Sequence, residues 1–275
     1  VPEVDLMDEQ IRWMNHAIWA DDINDSHARV LKARYYGEIS YIDYCLGRIL
    51  DAVEARGDAE NTLICFFADH GDHLGDHGAW QKESYFDAAA RVPYLVRWPD
   101  QLPADVRREE IVCLTDLFAI ATRAAGKKEM REGFDVLHLL EGKGKPRRHL
   151  IGYYGTPGIP LFKVMVREAE ADSEAWKYIY MASGGCEQLF DLKNDPHELK
   201  QRLQERPEVV HRLRRVAIDA CSGQNVNRAL NERGDLRGFP ASDRPKHRIY
   251  QFAPSRGVRG FPEKPEDVLR GFRLG

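Results

Sequence analysis

Long apolar runs, paired cysteines and a strong charge of either sign are all scarce in this sequence. No run approaches the ~18 consecutive apolar residues of a membrane-spanning helix, so we expect no membrane partner. The five cysteines are odd in number and form no CxxC pair, which argues against both a disulfide framework and a structural zinc site. A formal net charge of −4 gives no general basic surface for a nucleic-acid partner.

The composition itself is typical of a globular protein. Hydrophobic residues make up 43% and charged residues 31% of the 275 positions, values that a packed domain with a polar surface commonly has. A chain of this length can form one large α/β domain, with or without a small appendage. The unpaired cysteines favour the cytoplasm, but a periplasmic or secreted protein is also compatible, so the compartment is left unassigned.

The stretch with the clearest chemistry begins at an apolar run. Leu63 to Ala68 is continuous and apolar, as expected of a strand that is buried on both faces of a parallel sheet. Asp69 and His70 follow at once, and Gly71 permits a sharp turn. Sites in open α/β sheets form where strands end, and a carboxylate with an imidazole suits a divalent cation. The sequence therefore predicts a metal site at this point.

The other acids and histidines of the same loop are interpreted as structural. They alternate with glycines, a pattern that favours turns and caps over metal ligation, and they are Asp72, His73, Asp76 and His77. Further along, Asp87 and Arg91 are four residues apart. In a helical turn they are expected to pair and hold the loop in place.

Hydrophobic periodicity predicts the elements of a first part, residues 1–148. Apolar residues at steps of three and four predict a long amphipathic helix over about residues 26–56, with Gly57 as its stop. A strand between two prolines is predicted at Tyr94 to Arg97. A second helix is predicted from Thr115 or Asp116 to Ala125.

The periodicity changes in the second part, residues 149–222. Short strands followed by one amphipathic helix predict a small α+β subdomain; they are Lys163 to Arg167, Lys177 to Met181, Glu187 to Phe190 and the helix Pro207 to Ala220. The last part, residues 223–275, is rich in Gly and Pro and is not expected to form its own core. We predict an extended arm on the body or on a neighbouring subunit, which would allow a homo-oligomer.

Two ordered, gapless patterns link these regions to a known family. The first runs through the long helix and the metal loop: Tyr35-Tyr36-Gly37, Tyr41-Ile42-Asp43, Gly47-Arg48-Ile49-Leu50, Asp69-His70-Gly71-Asp72, Gly75, Gly78, Trp80, Lys82, Phe86-Asp87, Arg91-Val92-Pro93 and Trp98-Pro99. The second lies in the subdomain: Lys177-Tyr178-Ile179-Tyr180, Glu187-Gln188-Leu189-Phe190-Asp191-Leu192 and Asn194-Asp195-Pro196-His197-Glu198-Leu199. Both resemble the C-terminal half of the sulfatase family, in the alkaline-phosphatase-like superfamily, over residues 26 to about 215.

This resemblance implies a fold and a site. The fold would be α/β, with part of an alkaline-phosphatase-like core on a mostly parallel sheet and a small C-terminal α+β subdomain on an antiparallel sheet. Asp69 and His70 would be ligands of the active-site metal. Ca²⁺ is the family's metal, and Mn²⁺ is the alternative because an imidazole is present. Lys82, twelve positions beyond His70, matches the lysine that contacts the sulfate group.

The family's nucleophile is missing from this chain. Sulfatases form a formylglycine from Cys or Ser in a C/S-x-P-x-R motif, and none of the five cysteines has Pro and Arg at the required offsets: Cys45, Cys65, Cys113, Cys186 and Cys221. The chain also begins at Val1, without an initiator Met. We therefore expect the formylglycine and the early Asp-Asp metal ligands on an N-terminal half, which would be a partner of this segment.

Three functions follow from these observations. The first is a sulfuric ester hydrolase that acts on a small-molecule or saccharide sulfate ester, with this segment inactive by itself. The second is a phosphonate or phosphodiester hydrolase of the same superfamily. The third is a non-catalytic interaction module that kept the fold and lost the nucleophile.

Overall fold

The computed structural model describes residues 5–14, 23–127, 129, 131–169, 174–223 and 225–244. Six helices and six strands occur in this part of the chain. The helices are α1 Leu6–Met14, α2 Asp25–Ala55, α3 Asp87–Ala90, α4 Asp116–Ala124, α5 Val136–Leu140 and α6 Pro207–Cys221. The strands are β1 Ile64–Phe67, β2 Tyr94–Arg97, β3 His149–Tyr154, β4 Lys163–Glu168, β5 Trp176–Met181 and β6 Cys186–Asp191.

The long helix α2 confirms the periodicity over residues 26–56. Asn24 caps its start by accepting a hydrogen bond from the His27 amide at 2.9 Å, and Gly57 follows its end with a φ of 78°, which glycine adopts without strain. None of its 31 residues is buried. Its apolar side chains instead face solvent in the described structure, and they are Tyr36, Ile39, Tyr41, Ile42, Tyr44 and Ile49.

The strand before the predicted metal site pairs antiparallel with its neighbour, whereas the sequence predicts a parallel sheet. β1 and β2 form a two-stranded antiparallel sheet, with Ile64 opposite Arg97 and Phe67 opposite Tyr94. The continuous apolar run predicts a parallel neighbour, and among the described strands it has none. An apolar run specifies that a strand can be buried, whereas strand direction depends on the connection that leads to its neighbour.

The small subdomain is a four-stranded antiparallel meander in the order β3-β4-β5-β6. Because side chains alternate across a strand, the sheet has two apolar faces. One face packs on α6 through a cluster that includes Val164, Tyr178 and Leu213. The other packs on α1 and on the loop that follows the metal site, through a cluster that includes Met165, Met7 and Phe86. The sheet is therefore covered on both sides.

The sequence missed one strand of this sheet. β3 lies at its edge and pairs along its whole length with β4, from His149 opposite Glu168 to Tyr154 opposite Lys163. Its residues do not alternate between apolar and polar, since Leu150 and Ile151 are adjacent and Gly152 interrupts the run. A period of two is the signal that identifies a half-buried strand, so the pattern gave no prediction here.

The start of the predicted arm packs against the subdomain. Ala229 and Leu236 are buried in the cluster beneath α6, and Phe239 forms a parallel bridge with Ser183. Residues 245–275 lie outside the described residues. They include five apolar side chains whose preference for burial would anchor such an arm, and these are Ile249, Tyr250, Phe252, Phe261 and Phe272. The boundaries at 148 and 222 stay predictions.

Two expected absences can be compared with the described residues. All five cysteines are free thiols, in agreement with the predicted lack of a disulfide framework. No helix in the described ranges has the length and apolar content that a membrane crossing requires.

Candidate active site

The predicted metal residues follow directly after β1. The backbone turns away from the strand at Gly71, whose amide donates to the Ala89 carbonyl at 2.8 Å. A Cβ at this position would lie 2.1 Å from the Ala88 carbonyl oxygen, well inside contact distance. Only glycine therefore allows the metal loop to approach α3 so closely, and this approach sets where Asp69 and His70 lie.

The side chains of Asp69 and His70 converge. Asp69 Oδ2 lies 3.3 Å from His70 Nε2, with side-chain exposures of 82% and 37%. His70 Nδ1 lies 2.8 Å from the Gly71 carbonyl oxygen. A carbonyl can only accept a hydrogen bond, so Nδ1 carries the proton and Nε2 presents its lone pair. This is the tautomer in which an imidazole ligates a metal through Nε2.

Lys82 completes the group. Its Nζ donates to His70 Nε2 over 2.5 Å, although the two residues are twelve positions apart. The structure thus brings all three sequence-predicted site residues, Asp69, His70 and Lys82, into one exposed cluster. Their roles as metal ligands and as the sulfate contact stay predictions.

These residues fit one side of a metal site. Two ligands about 2.3 Å from one cation and at right angles to each other lie about 3.3 Å apart, which is the separation of the Asp69 and His70 ligand atoms. No group of three or more His, Cys, Asp or Glu side chains within the described ranges could hold a metal ion. Calcium takes six to eight oxygen ligands, so a complete site needs donors beyond this pair.

Three of the four other acids and histidines of the loop have side-chain partners of the structural kind that the sequence predicts, and they are Asp72, His73 and His77. Asp72 Oδ1 accepts hydrogen bonds from the amides of Leu74 and Gln81, at 2.9 and 3.1 Å. His77 stacks on the Phe86 ring with 3.8 Å between ring centroids, and its Nε2 lies 3.2 Å from the His197 carbonyl oxygen. These contacts fold the loop onto the subdomain.

His73 is the one buried imidazole of the loop. It is 1% exposed, and its Nε2 lies 2.7 Å from Ser84 Oγ. Burial, followed by the charge of His77, lowers the pKa of His73 to about 4, because a charged ring is poorly solvated in the interior. His73 is therefore neutral near pH 7 and serves as a neutral hydrogen-bonding brace.

Sequence reasoning missed a buried ion cluster behind the loop. Lys177 is 2% exposed, and its Nζ contacts Asp87 Oδ1, the Tyr85 carbonyl at 2.8 Å and Glu198 Oε1 at 2.8 Å. That Glu198 oxygen has no aligned hydrogen bond, so its contact with Lys177 is best described as charge to charge. Burial raises the pKa of Glu198, and the Lys177 ammonium partly offsets this shift.

The predicted pair of Asp87 and Arg91 is the weaker interaction. Arg91 Nη1 lies 4.0 Å from Asp87 Oδ2, and the Arg91 side chain is 78% exposed. Asp87 turns towards the buried Lys177 instead. The signal was present in the sequence: Lys177 alternates with Trp176 and Tyr178 in an otherwise apolar strand. A charged residue there needs a buried partner.

Two family sequence models match this chain. The model described as Sulfatase matches residues 15–127. The model described as N-sulphoglucosamine sulphohydrolase, C-terminal, matches residues 75–218, which is more than half of the chain. The chain belongs to the sulfatase family. The matched ranges contain the metal loop and most of the small subdomain, so both regions discussed above are family features.

Curated relatives of this sulfatase-family chain are sulfatases by name. It is 29% identical to an arylsulfatase of Clostridium perfringens over 227 residues, covering 80% of this chain and 46% of that protein. It is 31% identical to a choline-sulfatase of Rhizobium meliloti over 184 residues, covering 65% of this chain and 34% of that protein. The chain thus spans less than half the length of these relatives.

Solved structures confirm the α/β fold class. A 2-O GAG sulfatase aligns with a TM-score of 0.68 at 18% identity, over 88% of this chain and 57% of that one. BT4656, solved with its substrate D-glucosamine-2-N,6-O-disulfate, aligns with a TM-score of 0.59 at 21% identity, over 67% and 39%. The phosphonate monoester hydrolase of Agrobacterium radiobacter aligns with a TM-score of 0.62 at 25% identity, over 81% and 48%.

Proposed function

We propose that this chain carries the second half of the metal and sulfate site of a sulfuric ester hydrolase. The observation that supports it best is the convergence of Asp69, His70 and Lys82 after β1, in a chain of the sulfatase family. Asp69 Oδ2 and His70 Nε2 would hold a divalent metal, with Ca²⁺ as first choice and Mn²⁺ as alternative. A metal bound there would polarise the sulfuryl oxygens.

Lys82 would bind the transferring group itself. In the structure its exposed ammonium occupies the lone pair of His70 Nε2. A metal bound at that nitrogen would displace the ammonium, which would then be free to contact an oxygen of the sulfate ester. A positive charge at this point offsets the negative charge that develops in the transition state. No cysteine of this chain lies in the formylglycine motif, so we propose that the nucleophile and the remaining metal ligands come from another part of the protein.

The exposed faces support such a partner. The apolar side chains of α2 and the β1–β2 side chains Phe66, Phe67 and Leu95 are accessible in the described structure, and clusters of exposed apolar side chains commonly mark interaction sites. We propose that an N-terminal half of the enzyme covers them. A homo-oligomer through residues 223–275 stays a prediction of the sequence.

The substrate would be a small-molecule or saccharide sulfate ester. Relatives named for choline sulfate and a neighbour solved with a sulfated glucosamine support these classes equally. The second candidate function is phosphonate or phosphodiester hydrolysis, favoured by the likeness to a phosphonate monoester hydrolase. Sulfate and phosphate groups share a tetrahedral anionic shape, so the residues of this site suit both.

A substrate panel tests the proposal. The full-length protein is assayed with 4-nitrophenyl sulfate, bis(4-nitrophenyl) phosphate and 4-nitrophenyl phenylphosphonate at equal concentrations. We expect the sulfate ester to be turned over with the highest kcat/KM. A preference for either phosphorus ester would support the second function. No turnover of any of the three, with metal bound, would favour the non-catalytic module.

Metal content gives an independent test at Asp69. Asp69→Ala removes the anionic ligand, so we expect divalent metal content and turnover to fall together. Elemental analysis of the purified variant measures the first. Asp100→Ala is the matched control, because Asp100 is exposed and follows the end of β2 that pairs with the start of β1, not the end that carries the site. Stoichiometric metal with normal turnover in Asp69→Ala would contradict the assignment.

A further inference from the structure

A second lysine of the subdomain is buried next to the candidate site. Lys163 begins β4 and is 0% exposed. Its Nζ donates to the Glu83 carbonyl oxygen over 2.5 Å and lies 4.2 Å from the centroid of the Tyr154 ring. It makes no ion pair with a carboxylate in the part of the chain that the structure describes. The carbonyl and the ring are the polar and aromatic groups that its ammonium contacts directly.

The burial of Lys163 in this arrangement does not by itself stabilise the fold. Burial lowers the pKa of Lys163 to about 7, and the more distant charge of Glu83 opposes the shift. An ammonium without a carboxylate partner is costly to bury, whereas a methionine of similar shape would not be. Over such an apolar residue, Lys163 adds its contact with the Tyr154 ring and its hydrogen bond to the Glu83 carbonyl, and only the second acts on the loop. That bond fixes one point of the loop.

The Glu83 carbonyl, which this bond holds, belongs to the residue directly after Lys82. On the other side of Lys82, Gln81 has a φ of 67°, and its amide and carbonyl are held by Asp72 and by the His73 amide. The Ser84 amide donates to the Lys82 carbonyl at 2.7 Å, which closes a tight turn. The backbone of Lys82 is thus held before it by its own loop and after it by Lys163.

We propose that Lys163 is a positioning residue that acts through Lys82. It holds the Glu83 carbonyl, and so it orients the exposed Lys82 ammonium towards the substrate's sulfuryl group. The small subdomain then takes part in the active site through β4, without itself contacting the substrate. This inference rests on the proposed sulfatase function of Lys82.

Kinetics on the complete enzyme test the coupling. Lys163→Met keeps the volume and removes the donor, and we expect kcat for 4-nitrophenyl sulfate to fall about 10- to 100-fold, because a displacement of ~1 Å of a catalytic group has effects of this size. The KM and the metal content should change little. Lys200→Met, at an exposed subdomain position, is the matched control and should retain normal turnover.

A double-mutant cycle distinguishes positioning from a general structural role. In a Lys82→Ala background, Lys163→Met should reduce kcat less than 2-fold further, since two residues that act as a unit are not additive. An equal loss in both backgrounds, or normal turnover of Lys163→Met, would overturn the proposal. Lys163→Gln retains a shorter donor and should lie between wild type and Lys163→Met. If Lys163→Met folds poorly, the same comparison with and without Lys82→Ala is made with Lys163→Gln.

Hydrogen exchange supplies a readout that does not depend on activity. We expect Lys163→Met to speed amide exchange in a peptide over residues 79–86 and to leave α6 unchanged, whereas Lys82→Ala should alter neither. If wild type hydrolyses no sulfate ester, the proposed function fails, and exchange alone decides whether Lys163 orders this segment. Unchanged exchange over residues 79–86 in Lys163→Met would overturn the positioning role.

Discussion

The small subdomain and the α2–β1–β2 region contrast in how their apolar residues are used. All six residues of β5 are buried, while none of the 31 residues of α2 is. Apolar periodicity is clear in α2 and equally clear in α6, which buries Val209, Leu213 and Ala217. The comparison shows that periodicity predicts which face of an element is apolar, and that burial depends on whether a complementary surface packs against it.

The loop that carries Asp69, His70 and Lys82 lies between these two regions, and it packs against the small subdomain. Lys163 and Lys177 occupy the sheet face that packs on the loop, in alternation with residues that pack on α6. Asp69, His70 and Lys82 are exposed on the opposite side of the loop. Stability and direct chemistry are therefore separated: substitutions in the Lys177 cluster behind the loop should affect folding, and substitutions in the exposed cluster should affect turnover. Lys163 connects the two sides through the Glu83 carbonyl.

The largest effect is expected at the buried ion cluster. Lys177→Met leaves the buried Glu198 and the half-buried Asp87 without their cation, so we expect the free energy of unfolding to fall by about 3–5 kcal/mol. Urea denaturation followed by circular dichroism measures it. Arg91→Ala, at the exposed partner of Asp87, is the matched control and should cost less than ~0.5 kcal/mol. Similar costs for the two variants would contradict the structure.

Alanine substitutions at two apolar helix positions, one buried and one exposed, sharpen the comparison. Leu213→Ala in α6, where the side chain is 0% exposed, should destabilise the protein by about 2–5 kcal/mol. Ile42→Ala in α2, where it is 54% exposed, should cost less than ~0.5 kcal/mol in this chain alone. Equal costs would show that the α2 face is packed in solution. The midpoints of urea unfolding compare the two directly.

Lys82→Ala should separate activity from stability. Turnover of a sulfate ester by the complete enzyme should fall by ~10²–10³, the loss typical of deleting one electrostatic stabiliser of a transition state. Metal content and the unfolding midpoint should stay within error of wild type, because the side chain is exposed. Lys82→Arg should recover little, since a planar guanidinium does not place its charge where an ammonium does. Near-normal kinetics of Lys82→Ala would mean that Lys82 is a solvated surface lysine without a catalytic role.

The smallest effect concerns pH and His73. The unfolded chain protonates this imidazole near pH 6.5, whereas in the folded state burial lowers its pKa to about 4. Between these values the unfolded state binds more protons. The contribution of neutral His73 to the free energy of unfolding is therefore fully present above pH 6.5. It falls by roughly 3 kcal/mol as the pH drops towards 4.

A pair of histidine variants isolates that contribution. Urea midpoints are measured between pH 7.5 and 5. His73→Gln should lose part of the pH dependence that wild type shows, and the exposed His211→Gln should keep all of it. An unchanged pH slope in His73→Gln would mean that another group carries the effect.

The sequence predicted the local elements well. The three site residues that it named lie together in the structure, and their roles stay predictions. Amphipathic periodicity identified α2 and α6, and the strand-length apolar run identified β1, to within one or two residues of the observed ends. The spacing from His70 to Lys82 anticipated their contact through the family resemblance. These features are local, because periodicity, capping and glycine turns depend on residues a few positions apart.

Only the tertiary structure decided how distant segments meet. The antiparallel pairing of β1 with β2, the edge strand β3 and the buried lysines behind the site loop all depend on contacts between residues far apart in sequence. Lys177 and Asp87 are 90 positions apart and Lys163 and Glu83 are 80 apart. The partner of a buried charge is set by which surfaces pack together, and the sequence specifies only that the charge, once buried, needs one.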